Sequence, residues 1–141
     1  MTATTLTIEQ LSDAVIAFLK ADVAIVAVVG DEIREANWMG SDFTYPALRV
    51  DTSRMSAQIL NGNCEGEWFL ITFSVYIFSE GRSSKAGQNL AGLVGRRFQN
   101  NRLITADFRS QPLNIDYNSP VTDGKTHWRG EVIVTGRLKE I

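Results

Sequence analysis

One histidine, His127, and one thiol, Cys64, are the chain's whole supply of imidazole and sulfur nucleophile. Zinc-type centres bring several such ligands together, so a metal site here would have to be built mostly from carboxylates. A Cys64–His127 nucleophilic pair would need the two side by side, with a third group to orient them. Cys64 follows Asn61-Gly62, the dipeptide that best suits a type I′ hairpin turn, and reads more simply as a small residue beside a turn. Asp31, Glu32 and Glu35 form an acidic cluster after Gly30. Paired carboxylates can do acid–base work, but this spacing in a polar connector usually marks a solvated surface. Gly87, Gly92 and Gly95 fall within one helical stretch, and neither GxxxxGK[ST] nor a helix-opening GxGxxG is present. Glycine inside a helix costs about 1 kcal/mol against alanine. These three therefore mark close approach to a neighbouring element or a contact between subunits. No catalytic, cofactor-binding or metal constellation is expected.

The elements that carry these residues are organised around residues 67–100. Phe69, Ile71, Phe73, Val75 and Ile77 alternate onto one face of an extended segment. Trp68, Leu70, Thr72, Ser74, Tyr76 and Phe78 take the other face, which is mixed rather than solvated. After turn chemistry at 79–84, with Ser83 or Ser84 able to cap, a helix places Ala86, Leu90, Leu93, Val94 and Phe98 on one stripe. That stripe is expected to lie on the apolar face of the strand. Arg96 and Arg97 sit in the last turn, where positive charge suits the helix dipole.

Upstream, Thr7-Ile8-Glu9-Gln10 fits a capping box, and Leu11, Val15, Phe18 and Leu19 continue with helical period. Asp22 can cap a second helix over Val23–Val29, with Gly30 as its stop. A short strand is expected around Ile33, then a loop at 36–45 carrying Trp38, Phe43 and Tyr45. Residues 47–60 and 64–78 read as the arms of a long hairpin whose outer part, 55–66, projects from the body. Downstream, a strand near 104–110 with a break at Pro112 precedes a polar loop at 116–125. The final strand puts Trp128, Val132, Val134 and Leu138 on one face, with a wet face opposite. The expected class is α+β: an antiparallel sheet of about four strands with helices packed on one face.

At 141 residues the chain reads as one domain over 1–141, with 1–6 as a flexible arm. A net charge of −2 supplies no basic field to hold phosphates, which argues against a direct reader of nucleic acid. A single cysteine excludes an intrachain disulfide and fits a reducing compartment. The apolar run Val23–Val29 is too short to span a bilayer, and no basic segment precedes it as in a signal peptide. A soluble protein made in the cytoplasm, without a membrane partner, is expected. The loop aromatics and the mixed strand face amount to more apolar surface than a monomer of this size needs. Either a second layer of the same domain covers them, or they mark a partner interface.

The order of features resembles a known family. It runs from the helix containing 14–22, through Val23–Val29 and Gly30, to Tyr45-Pro46 leading into a strand. The hairpin arm 73–79, the helix 84–98 and the closing strand 128–138 complete the pattern, which covers about residues 8–139. Together these resemble the tail-completion proteins of long-tailed bacteriophages, the tail terminators and tail-to-head joining proteins. The loop at 36–44 and the connector at 111–126 are longer than in that pattern. The resemblance implies a structural virion protein, not an enzyme, made in the host bacterial cytoplasm. It implies a ring, a homo-oligomer of six copies, at the head-proximal end of the tail tube. Its partners would be the tail tube protein and a neck or head-closure protein, with DNA passing through the lumen unread. The residues expected at protein contacts, chosen for exposure, are Trp38, Phe43, Tyr45, Met55, Ile59, Leu60, Arg96 and Arg97. Two other readings stay open: a head-closure or tube protein, and a small-molecule-binding or enzymatic α+β domain with its pocket between the hairpin and the loop aromatics.

Overall fold

A computed structural model of the chain describes residues 8–36, 44–52, 68–106, 108–122 and 126–140, with the backbone alone at Ile8, Trp68, Phe69 and Glu140. Thr7 of the capping box, the Asn61-Gly62 turn and the hairpin tip lie outside the described residues.

Helix α1 (Ile8–Lys20) buries Leu11, Val15 and Leu19, one residue per turn along a single stripe. Helix α2 (Val23–Val29) begins where expected, because the Asp22 carboxylate accepts the N–H groups of Ala24 at 2.9 Å and Ile25 at 3.3 Å. It ends at Gly30, whose φ of 59° carries the chain out of the helix while its N–H reaches the Val26 carbonyl at 2.8 Å. This cap and stop outweigh the strand preference of the valines and isoleucine between them.

The strands are β1 (Ile33–Glu35), β2 (Ala47–Asp51), β3 (Trp68–Glu80), β4 (Phe108–Ser110), β5 (Asn114–Thr122) and β6 (His127–Glu140), with α3 (Lys85–Phe98) following β3. They form one six-stranded sheet in the order β1-β2-β3-β6-β4, with β5 also paired to β6. The sheet is mixed, which corrects the expected antiparallel sheet of about four strands. One departure is β1, which leaves α2 and runs parallel to β2, Ile33 opposite Leu48. The other is β5, which occupies most of the stretch expected to be a polar loop. As an edge strand with most of its residues exposed, and Ile115 and Pro120 half-buried, it has no continuous apolar face. Pro120 lies within its irregularity between Asn118 and Val121, where a missing N–H breaks no ladder bond. The strand expected at 104–110 contracts to β4, because Ile104 bridges back to Arg109 and turns the chain there.

β3 and β6 pair without interruption from Trp68↔Lys139 to Glu80↔His127. Their shared apolar face sets Phe73 against Val134 and Val75 against Val132, all fully buried. Helix α3 covers this face with Leu90, Val94 and Phe98, the Phe98 ring standing edge-on to Phe73 at 5.5 Å. Its buried stripe is rotated from the expected one: Ala86 is exposed, Leu93 half-buried, and Gly87 and Gly95 face inward. The two glycines let the helix backbone descend. A Cβ on Gly87 would lie 2.6 Å from Ser79 Oγ, and one on Gly95 would overlap the Tyr117 hydroxyl. Helix α1 lies beside α2 over β1 and β2, so all three helices share one side of the sheet.

Candidate protein interface

His127 opens β6 opposite Glu80, its Nε2 3.8 Å from the carboxylate. The Tyr45 ring, next to a cis Tyr45-Pro46 peptide, stacks on the imidazole at 4.6 Å, and Trp128 Nε1 donates to the Gly81 carbonyl at 3.1 Å. These contacts knit the entry of β2 to the shared end of β3 and β6, so Tyr45 takes part in an intramolecular stack. Cys64 lies outside the described residues. The acidic trio separates. Arg49 Nη2 meets Glu32 Oε2 at 2.9 Å with side chains only 6% and 13% exposed, while Asp31 and Glu35 face solvent. Arg49 also donates to the Leu48 carbonyl at 2.9 Å and the Glu32 carbonyl at 3.3 Å, which anchors β1 to β2. Among the described residues, no three His, Cys, Asp or Glu side chains gather closely enough to hold a metal ion.

Of the residues expected at contacts, Trp38, Phe43, Met55, Ile59 and Leu60 lie outside the described residues. Arg96 is exposed at the end of α3. Arg97 is directed inward: its guanidinium sits 3.8 Å above the Phe18 ring, and its Nε donates to the Phe18 carbonyl at 3.0 Å. That carbonyl belongs to the last turn of α1, where such groups lack intrahelical donors and a cation suits the dipole. Arg97 therefore joins the ends of α1 and α3. The even face of β3 is less exposed than its residue types suggest. Leu70, Thr72, Tyr76 and Phe78 are half-buried and Ser74 is buried, opposite a row on β6 that includes Arg137, Thr135, Glu131 and Arg129.

The exposed apolar surface of the described residues lies elsewhere. On α2, Val23 is 83% and Val28 45% exposed; on β5, Tyr117 is 52% and Val121 53% exposed; Ile104, between α3 and β4, is 65% exposed. The α2 patch had a legible signal, because VAIVAVV contains no polar residue and any face it turns outward must be apolar. The β5 patch had none while that stretch read as loop. β5 is also flanked by two open grooves. One, of about 280 Å³, lies between α3 and β5 and is lined by Gln88, Ala91, Gly92, Tyr117 and Pro120 among others. The second, of about 460 Å³, is lined by Tyr76, Val121, Arg129 and Glu131, where Asn118 Nδ2 donates to Glu131 Oε1 at 2.7 Å.

The outer edge of β5 is only partly covered. Leu113 exchanges backbone hydrogen bonds with Asn100 and Asn101, and the Ile115 N–H reaches Gln99 Oε1 at 3.0 Å. Beyond Ile115, no backbone hydrogen bond among the described residues is made on that side. Among the described residues β1 pairs only with β2, so it lies at the opposite end of the sheet from β5.

The fold is shared with a chain in the virion of the native gene transfer agent (GTA) particle. The TM-score is 0.73 at 15% identity, over 92% of this chain and 94% of that one. A second solved chain is similar at TM-score 0.55 and 16% identity, with the same coverage of both. No protein-family profile and no curated protein sequence matches the chain. At these identities the likeness is one of fold, an α+β architecture common to the three chains over nearly their full lengths.

Proposed function

We propose that this chain is a structural virion protein that forms a ring at the head-proximal end of a phage tail tube, ends tube growth and joins tail to neck. The observation that carries the reading is the near end-to-end match of fold with a virion chain, 92% of one and 94% of the other. The order of sequence features resembling tail-completion proteins supports the more specific role. The ring holds six copies, contacts the tail tube protein on one side and a neck or head-closure protein on the other, and lets DNA through its lumen. A net charge of −2 suits a conduit that does not hold nucleic acid. The role is non-catalytic and places the protein in the virion after synthesis in the host bacterium.

The decisive experiment adds the purified chain to polymerising tail tube protein and measures tube lengths by electron microscopy. Shorter tubes carrying density at one end are expected, and loss of the gene should give overlong, headless tails. Spontaneous polymerisation of the chain into tubes would make it a tube protein instead. Tubes that grow unchanged in its presence would refute the terminator role.

A further inference from the structure

We propose that copies of this chain join head-to-tail, with α2 of one copy seated in the groove between α3 and β5 of the next. The proposal deepens the ring reading and takes its copy number from it; the chemistry of the contact stands on the surfaces themselves.

A short surface helix ordinarily turns polar residues outward. α2 buries Ile25 and Val29 and presents Val23, Ala24, Ala27 and Val28 to solvent, with no polar side chain along its length. The receiving groove carries no charged residue: Ala91, Gly92, Tyr117 and Pro120 give it apolar surface, and the polar Gln88, Asn118 and Ser119 complete its lining with Gly130. Its floor explains the glycine of α3 that the subunit's own packing does not. Gly87 and Gly95 are required by Ser79 and Tyr117, but a Cβ on Gly92 would meet nothing within 4 Å. Glycine at that position leaves the helix backbone open to close approach from outside.

Placement decides that the occupant is a second copy. α2 runs directly into β1 at one end of the sheet, whereas the groove flanks β5 at the other end, and both lie on the helix-covered side. Two different, complementary patches on opposite flanks make a heterologous contact, which closes into a ring when the rotation suits. The same docking brings the β1 end of one sheet toward the β5 end of the next.

The test uses chains in which Cys64 is replaced by serine and a single new thiol is placed at Val23→Cys or at Gly92→Cys. Mild oxidation of the two variants mixed is expected to give a disulfide dimer holding one of each, whereas either variant oxidised alone stays largely uncrosslinked. In parallel, Val23→Asp places an acid in the first turn of α2, where the helix dipole tolerates it, and Gly92→Leu fills the groove. Each should weaken self-association at least tenfold in sedimentation velocity without lowering the unfolding temperature measured at dilution, where the chain is monomeric. Absence of the mixed disulfide overturns the proposal, and so does an oligomer that neither substitution weakens. A chain that remains monomeric both alone and with tube ends overturns it as well. If the mixed disulfide forms but the chain neither caps tubes nor enters virions, the tail role fails and the contact stands. If both blocking variants cap tubes as well as the parent, the contact fails and the tail role stands.

Discussion

Gly92→Ala and Gly95→Ala are the same chemical change three residues apart in α3, and the structure gives them opposite signs. Each gains about 1 kcal/mol of helix propensity. At Gly92 nothing lies within 4 Å of the new methyl, so the gain stands. The unfolding temperature should rise by about 3–5 °C for a chain of this size. At Gly95 the methyl would overlap the Tyr117 hydroxyl and lie 2.6 Å from Ile115 Cδ1 and 2.8 Å from Tyr117 Cζ. Tyr117, half in solvent, can swing outward, but half-buried Ile115 lies beneath the helix and has less room. Overpacking of this kind costs about 1–3 kcal/mol, which cancels or exceeds the propensity gain. The two variants should therefore differ by about 1–3 kcal/mol. Thermal unfolding followed by circular dichroism at low micromolar concentration reads the difference, with dilution needed because self-association would itself raise the midpoint. Combining Gly95→Ala with Tyr117→Ala should recover part of the loss non-additively, as expected of residues in contact. Equal midpoints for Gly92→Ala and Gly95→Ala would refute the docking of α3 on β5.

Asp22→Ala removes the side chain that caps α2 and should cost about 1 kcal/mol, seen as a lower urea midpoint at unchanged slope. Gly30→Ala forces an L side chain into φ 59°, ψ −126° and should cost about 1–3 kcal/mol by the same measurement. Arg49→Met leaves the enclosed Glu32 carboxylate without its guanidinium and should destabilise by about 3–5 kcal/mol. Adding Glu32→Leu should restore most of that loss, and a double variant as unstable as the single one would contradict the ion pair's role.

What could be read from the residues was whatever local chemistry decides. Asp22 and Gly30 bracket α2 because a carboxylate cap and a positive-φ stop act within a few residues. β3 and β6 declared themselves by alternation, since each has one face on the core. β5 did not, because an edge strand covered over a short stretch at Ile115 sustains no long alternation, and Pro120 imitates a loop. The parallel pairing of β1 with β2 depends on where α2 delivers the chain, which is a tertiary matter. The buried stripe of α3 was misplaced for a related reason: apolar periodicity weighs side chains, whereas Gly87 and Gly95 are buried because they have none. Exposure is equally hard to read from residue type. Arg97, expected among the exposed contact residues, uses its length to reach back to Phe18. α2 offers no polar residue to mark an outer face, and two of its four valines, Val23 and Val28, are exposed.

β6 also sets when the chain can become itself. β3, β4 and β5 all pair with it, and it follows every one of them in chain order. While a ribosome is still translating residue 126, β5 has no ladder partner and the apolar face of β3 has half its sheet. Such distant pairings close slowly. The groove beside α3 therefore comes into being only after residues 127–140 have emerged, and an unfinished subunit has nothing with which to receive a neighbour.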